Sequence, residues 1–277
     1  MRLSLFFLIL LIASVPVTAQ QYPQRIVSMN LCTDQLLLLL VEKNRIAALS
    51  YLATNSEYSA LAAEASGIPT NRGQADEIIT FMPDLVLTSQ FSATQTANLL
   101  ERMHYKVHRL GFAESLQGVY KQINEIAQLT GTDLQAEVLI HKMQTNINLQ
   151  TQKLNEIVKG KSAAFFSSNG FTYGSGTLQD DFINMLGMHN VAADAGFNGP
   201  ALLPLEILLS AAPDFIFMDK RNDLDKQLAH PLLNHPALVA LAPHTRVLTL
   251  ADSYFQCAGP ELAEAYQSLA EQLDHAQ

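Results

Sequence analysis

Two stretches, DEIITFMPDLVLTS (residues 76–89) and LEILLSAAPDFIFMDK (residues 205–220), repeat one local pattern. In each, an acid, Asp76 or Glu206, stands seven positions before a Pro-Asp pair that leads into an apolar run. Proline cannot continue a helix and biases its predecessor toward extended backbone, so the pattern predicts a helix, a turn and a buried strand. Any junction between a helix and a strand can account for the Pro-Asp pair, but no such junction requires a carboxylate seven residues upstream. The two acids therefore indicate paired external contacts.

Around these copies, short apolar runs alternate with segments of helical length. The predicted strands are Arg25–Met29, Ile46–Ser50, Asp84–Thr88, Val107–Leu110, Ser162–Ser167, Asp214–Met218 and Arg246–Leu250. The predicted helices are Thr33–Glu42, Ser92–Met103, Glu114–Leu129, Thr177–Leu186 and Pro260–Gln272. Strands such as DLVLT and DFIFM are apolar on both faces, as parallel sheets covered on both sides require. The sequence therefore predicts an α/β fold.

One longer segment, Thr132–Val158, contains neither Gly nor Pro. Thr132 and Gln135 fit a capping box at its start. Apolar residues recur along it at helical spacing, namely Ile140, Met143, Ile147, Leu154 and Ile157. A helix of this length extends roughly 40 Å. We interpret it as a rigid spine between two α/β lobes; an ordinary long surface helix is the alternative.

The first 19 residues, MRLSLFFLILLIASVPVTA, have the features of a secretory signal peptide. Arg2 precedes an apolar core from Leu5 to Ala13, and the small residues Val17 and Ala19 predict cleavage after Ala19. An uncleaved anchor is the alternative, but the apolar stretch is shorter than the ~20 residues that a bilayer requires. The predicted organisation is a signal peptide (1–19), an N-terminal α/β lobe (20–130), a linking helix (131–159) and a C-terminal α/β lobe (160–277).

Composition excludes one class of partner and permits a full core. The net charge of -9, which becomes -10 without Arg2, and the lack of a basic tract argue against nucleic acid. Removing 19 of 277 residues leaves 258, with 48% hydrophobic residues in the whole chain. That length suits one large domain or two lobes. We expect an exported protein without stable membrane insertion.

The chain has two cysteines, Cys32 and Cys257, each after a predicted strand and before a predicted helix. An exported compartment favours a disulfide between them, provided that their Cα atoms come within about 7 Å. Two free thiols, or ligands to a soft metal or metal chelate, are the alternatives.

Ligands of two-lobed α/β proteins bind at the carboxyl ends of strands, so residues after the strands are the candidate ligand-binding residues. In the first lobe these are Asn30, Cys32, Tyr51, Arg72, Gln90 and Phe91; in the second they are Asn169, Phe171, Tyr173, Arg221, Tyr254 and Phe255. Aromatic rings with a few amides and cations suit a large, partly apolar ligand. Ordinary loop and core aromatics are the alternative.

Patterns of catalysis are weak in this chain. Ser175 lies in YGSGT, which lacks a nucleophile elbow, and Gly170, Gly174 and Gly176 do not form a dinucleotide fingerprint. His104 and His108 are four residues apart, but the second falls in a predicted strand, and no pair has zinc-ligand spacing. We therefore expect no enzyme activity, no resident metal and no cofactor. The alternative is a secreted α/β enzyme that uses Asp219 or Asp252 with a neighbouring histidine.

From Arg25 to about Leu273 the chain resembles the periplasmic substrate-binding proteins of ABC importers for iron siderophores, haem and cobalamin, and it looks closest to the cobalamin-binding type. The matching segments are RIVSMNLCTDQLLLLL, DEIITFMPDLVLTS, FTYGSGTLQDDFINMLGMHNV, LEILLSAAPDFIFMD and SYFQCAGPELAEA. The resemblance implies a monomeric periplasmic protein of class III, with two lobes on one backbone helix and small opening motions. It would capture a metal chelate whose own metal is cobalt or iron.

The resemblance also implies roles for individual residues. Asp76 and Glu206 match the exposed acids that dock onto arginines of the membrane-spanning importer subunits, although the cobalamin type has Glu where this chain has Asp76. For ligands, Tyr51, Phe171, Tyr254 and Phe255 match aromatic residues that cradle a corrin. Tyr51, Tyr173 or Tyr254 could ligate haem iron, and Arg72 and Arg221 could face an anionic siderophore. The resemblance leaves these three ligand classes open.

Overall fold

The computed structural model describes residues 22–167, 170–219, 236, 244–257 and 259–274. The predicted signal peptide with its cleavage site, Asn169 and Arg221 lie outside the described residues. Within them, two separate parallel sheets form, one before and one after a single long helix. The first sheet with its helices is called the first lobe below, and the second sheet with its helices the second lobe.

The first lobe contains a five-stranded sheet in the order β3-β2-β1-β4-β5, with every neighbouring pair parallel. Its strands are β1 (Ile26–Ser28), β2 (Ile46–Ser50), β3 (Thr70–Asn71), β4 (Leu85–Ser89) and β5 (Val107–Leu110). Its helices are α1 (Leu31–Leu40), α2 (Ala75–Thr80), α3 (Thr94–Arg102) and α4 (Leu116–Thr130). Strand β4 is buried along four of its five residues, as its two-sided apolar sequence predicts.

The second lobe contains a four-stranded parallel sheet in the order β11-β10-β6-β8 and a two-stranded antiparallel ribbon, β7-β9. Its strands are β6 (Ser162–Phe165), β7 (Phe171–Tyr173), β8 (His189–Asn190), β9 (Pro200–Leu202), β10 (Phe215–Met218) and β11 (Arg246–Thr249). The helices whose full range lies among the described residues of this lobe are α6 (Leu178–Met185), α7 (Val191–Asp194), α8 (Leu205–Ala211), α9 (Ser253–Gln256) and α10 (Glu261–Asp274).

The long helix α5 (Asp133–Val158) connects the two lobes and contacts α4 on one side and α10 on the other. Its buried residues are Ala136, Met143, Ile147, Leu154 and Val158, which recur at helical spacing. The predicted α/β architecture with one long helix is therefore confirmed. None of the helices in the described part of the chain has the length and apolar character of a membrane span.

The capping box predicted at the start of α5 is wrong. Thr132 is the N-cap residue, but its side chain makes no capping hydrogen bond. Its hydroxyl is 2.8 Å from the hydroxyl of Thr130, and both residues are buried. The contact with Thr130 therefore replaces the bond to the helix N-terminus.

One cluster of buried side chains extends through both lobes. It includes Leu37 and Ile123 from the first lobe, Met143 from α5, and Phe182 and Leu269 from the second lobe. Burial of apolar surface is the main stabilising contribution in a domain, and a shared cluster couples the two lobes. Each lobe also has a smaller cluster on the other face of its sheet.

The two Pro-Asp pairs have the same structural role. The carboxylate of Asp84 accepts the backbone N–H groups of Gln24, at 2.6 Å, and of Arg25, at 2.9 Å. The carboxylate of Asp214 accepts the backbone N–H of Ser162 at 2.8 Å, and this bond is the main reason that the pKa of Asp214 is below its usual range. Each aspartate thus ties the start of a central strand to the start of its neighbour.

The residues directly before the two prolines share one backbone conformation. Met82 and Ala212 both adopt left-handed backbone, with φ of 46° and 41°. A right-handed helical conformation is disfavoured directly before proline, which explains why neither residue is helical. Because a left-handed non-glycine residue costs about 1 kcal/mol, the repetition indicates one shared geometry in the two lobes.

Candidate functional site

A cavity of about 650 Å³ lies between the carboxyl ends of the two sheets. The first lobe contributes Tyr58, Phe112 and Glu114 to its lining. The second lobe contributes residues from the β7-β9 ribbon, from α6 and from the region after β11, including Tyr173, Thr177, Gln179, Pro200, Asp252 and Phe255. The cavity therefore lies at the crevice that parallel α/β sheets use for ligands.

Two smaller cavities adjoin it. One, of about 270 Å³, shares Tyr173 and Asp252 with the first and extends to Phe171. The other, of about 130 Å³, shares Tyr58 and Gln256 with the first and extends along α1 and α10. The three adjoining cavities are called the cleft below, and the main one by itself lies within the ~300–1,000 Å³ range of small-molecule sites.

Aromatic rings line both walls of this cleft. On the first lobe, Phe91 follows β4 and Phe112 follows β5; their rings stack with centroids 5.3 Å apart and remain 68% and 67% exposed. On the second lobe, the ring of Tyr173 makes edge contacts with Phe171 at 5.6 Å and with Phe165 at 6.0 Å. Phe165 is a core residue, so the second wall is held by the core while the first presents an exposed aromatic platform.

The polar lining of the cleft is acidic. The main cavity is lined by Glu114 and Asp252, and the 270 Å³ cavity also by Asp219. The carboxylate of Asp219 accepts the backbone N–H of Asp252 at 2.9 Å. Among the described lining residues of the three cavities there is no Lys, Arg or His. The charged side chains in the described lining are therefore all carboxylates.

Two of the predicted ligand-binding residues have structural contacts. The side chain of Asn30 caps α1 by accepting the backbone N–H of Cys32 at 2.9 Å, and its amide donates to the hydroxyl of Ser92 at 3.0 Å. Cys32 is bonded to Cys257, with Cα atoms 4.7 Å apart. The disulfide prediction is confirmed, and neither cysteine is a free thiol.

The other predicted residues fall into two groups. Phe171, Tyr173, Tyr254 and Phe255 line the cleft, and Phe91 reaches it through its stacking partner Phe112. The residues outside the described lining are Tyr51, Arg72 and Gln90, which are exposed at the carboxyl ends of β2, β3 and β4.

Sequence reasoning missed Tyr58, Phe112 and Glu114. Phe112 follows β5 by two residues, so it meets the same criterion as the predicted residues, a position just after a strand. Tyr58 lies in a turn-rich segment after β2 that no strand precedes directly. Only the packing of that segment across the cleft, against the second lobe, identifies Tyr58.

The alternative of a secreted enzyme places a histidine beside Asp219 or Asp252. Asp219 and Asp252 both line the cleft, but no histidine accompanies them in its described lining. Within the described parts of the chain, no group of three His, Cys, Asp or Glu side chains is placed to hold a metal ion.

Asp76 and Glu206 occupy equivalent positions. Each is the second residue of a short helix, α2 or α8, and each is exposed. The neighbouring Glu77 accepts the backbone N–H of Arg72 at 2.7 Å, so it has a local role. No hydrogen bond or ion pair joins Asp76 or Glu206 to another of the described residues, which leaves both carboxylates available for external contacts.

The chain is similar to known proteins over most of its length. A family model described as periplasmic binding protein matches residues 26–251. The ABC transporter substrate-binding lipoprotein YvrC of Bacillus subtilis, described as uncharacterized, is 22% identical over 268 residues, covering 93% of this chain and 82% of YvrC. The vitamin B12-binding protein of Photorhabdus laumondii is 23% identical over 272 residues, covering 96% of this chain and 94% of that protein.

A solved structure shows a related fold. The periplasmic heme-binding protein RhuT from Roseiflexus sp. RS-1 is 22% identical and superposes with a TM-score of 0.72, over 92% of this chain and 99% of that one. The family model spans most of the chain, and the two parallel sheets on one long helix agree with this superposition. The protein therefore belongs to the periplasmic binding protein family.

Proposed function

We propose that the protein captures a corrinoid between its two lobes and delivers it to an ABC importer. The observation that carries the proposal is a cleft with aromatic walls and acidic polar lining, built from both lobes. The relatives support it, because one is described as an ABC transporter substrate-binding lipoprotein and another as a vitamin B12-binding protein.

The chemistry of the side arms is the argument for a corrinoid. A corrinoid carries uncharged amide arms around a large ring, and an amide can both donate and accept hydrogen bonds. The described lining of the main cavity offers partners of both kinds, among them the carboxylate of Glu114, the hydroxyl of Thr177 and the amide of Gln179.

The aromatic platform supplies a second argument. The exposed rings of Phe91 and Phe112 offer apolar surface that a planar macrocycle can cover. Covering about 100 Å² of such surface stabilises a complex by about 2.5 kcal/mol. Edge contacts hold Tyr173 on the opposite wall, so that side of the cleft needs little reordering on binding.

The ligand is tested by thermal unfolding and tyrosine fluorescence with cyanocobalamin, haemin and ferric enterobactin. Cyanocobalamin at a hundredfold excess over its Kd should stabilise the fold by about 2.7 kcal/mol. If haemin or the ferric siderophore stabilises the protein and cyanocobalamin does not, the cargo is that ligand and not a corrinoid. Turnover of a ligand by the purified protein would contradict a pure binding function.

We also propose that Asp76 and Glu206 dock onto arginines of the membrane-spanning importer subunits. One exposed ion pair contributes at most ~1 kcal/mol, so docking requires both acids and complementary shape. The double variant D76A/E206A should abolish uptake in cells while leaving ligand affinity unchanged. The control is E137A/E156A, which removes two exposed acids of α5 and the same charge. Equal uptake by both double variants would exclude the docking role.

Finally, we propose that residues 1–19 direct export to the periplasm and are removed after Ala19, so that residues 20–130 and 160–277 form the lobes around the 131–159 linking helix. The mass of the protein purified from the periplasm tests the cleavage site. A mature chain that begins at Gln20 is expected, and retention of Met1 would contradict the proposal.

A further inference from the structure

The smallest of the three cavities, of about 130 Å³, lies beside the disulfide where the lobes meet. Gln35 of α1 lines it from the first lobe, together with the segment that contains Glu57 and Tyr58. Glu261 and Glu264 of α10 line it from the second lobe. The proposed cargo cleft adjoins it through Tyr58 and Gln256, so an arm of a bound ligand can enter it.

Two buried acceptors in this lining have no hydrogen-bond partner. Gln35 is 5% exposed, and its Oε1 is unpartnered; Glu261 is 7% exposed, and its Oε2 is unpartnered. Buried polar atoms are nearly always paired in folded proteins, and an unpaired acceptor is costly. One such residue from each lobe lines the same cavity, which indicates an occupant that donates hydrogen bonds to both.

The remaining groups of the cavity exclude several occupants. Its other ionisable lining groups, which are Glu57, Tyr58, Tyr254 and Glu264, provide no cation, and an anionic occupant would face three glutamates. Burial raises the pKa of Glu261, its own backbone N–H opposes that rise, and the neighbouring Glu264 adds to it. Among the described residues, no three His, Cys, Asp or Glu side chains are close enough together to hold a metal ion, which disfavours a metal as the occupant.

We propose that this cavity is a subsite for an N–H-donor arm of the cargo, a primary amide or an ammonium group, which donates to Gln35 Oε1 and Glu261 Oε2. The proposal rests on the proposed function, because the cavity opens into the cargo cleft. It assigns selectivity to the side arms of the ligand: amide arms are accepted, and the corresponding carboxylate arms are rejected by Glu261.

The first experiment uses methylammonium as a probe of the subsite, with sodium at equal ionic strength as the reference. Methylammonium should raise the Tm of the full mature protein, and the rise should disappear in Glu261→Gln and in Gln35→Met, which removes the acceptor at similar side-chain size. Glu271→Gln is the control, since it removes one exposed acid from the same helix outside the cavity. The Tm of each variant without probe shows that it folds.

The second experiment uses dicyanocobinamide and dicyanocobyrinic acid, which share a corrin ring but carry amide and carboxylate arms. Glu261→Gln and Gln35→Met should weaken the amide probe about tenfold, as expected for loss of one buried hydrogen bond. Glu261→Gln should not weaken the carboxylate probe, and Glu271→Gln should change neither affinity.

The outcomes separate the subsite from the proposed function. The subsite would be overturned, and the cavity assigned to water, if methylammonium left the Tm of the unmodified protein unchanged and if Glu261→Gln and Gln35→Met bound the amide probe as tightly as the unmodified protein does. A calcium-dependent rise in Tm that Glu261→Gln removes, with no response to methylammonium, would overturn it in favour of a metal site. Failure of both corrinoids to bind the unmodified protein would overturn the corrinoid function alone, and the methylammonium response then decides the subsite by itself.

Discussion

Replacing both Cys32 and Cys257 with alanine should lower the free energy of unfolding more than the loss of any single side-chain contact described above. The disulfide closes a segment with a sequence separation of 225. In the chain-entropy model, opening a loop of this length costs about 5 kcal/mol at 25 °C, because the unfolded chain gains the freedom that the bond had removed. The bond also joins the start of α1 to the end of α9, across the two lobes.

The measurement is urea unfolding of the oxidised protein, the reduced protein and the C32A/C257A variant, followed by circular dichroism and tyrosine fluorescence. With a urea dependence of about 3 kcal/mol per M, the midpoint should fall by about 1.7 M in the variant and under reductant. The variant should be insensitive to reductant. An identical midpoint for all three samples would refute the reasoning, since the bond would then constrain neither the unfolded chain nor the lobes.

Three further changes have smaller expected effects. Burial raises the pKa of Asp34 to about 7, and hydrogen bonds from Ser50 oppose that rise. Because the folded state then holds a proton that the unfolded state has lost, the free energy of unfolding should fall as pH rises from about 4 to 7. Urea unfolding of Asp34→Asn at several pH values should show that this pH dependence is gone. Asp181→Ala removes the acceptor of the Leu116 N–H, 2.7 Å away at the first turn of α4, and should cost about 1 kcal/mol, measured as a lower Tm. Phe112→Ala leaves the Tm nearly unchanged because its ring is exposed, but it should weaken cargo binding about fivefold by titration, through about 1 kcal/mol of lost ring contact.

Most helices and strands were predictable, because their signals are local. Strands β2 and β5 begin and end at the predicted residues, and the long helix α5 occupies the segment without Gly or Pro. The Pro-Asp pairs correctly predicted two helix-to-strand junctions. Conversely, the capping-box prediction failed because the hydroxyl of Thr132 contacts Thr130, and a spacing of residue types does not specify which partner a hydroxyl chooses.

The cleft was predictable only in part. The rule that ligands meet the ends of parallel strands placed Phe171, Tyr173 and Phe255 in its lining. The same rule could not show that Asn30 is engaged in capping α1 and in a bond to Ser92, because these hydrogen bonds depend on how two loops pack.

The sequence by itself determined the alternation of strands and helices, the spine between two halves and the repeated acid ahead of each Pro-Asp pair. Each of these depends on residues a few positions apart, where backbone preference and hydrophobic periodicity act. Only the tertiary structure decided that Cys32 meets Cys257, that Tyr58 faces the second lobe and that Gln35 and Glu261 bury unpaired oxygens in one cavity. These are distances between residues far apart in the chain, and they are set by the packing of one core shared by both lobes, which no local pattern encodes.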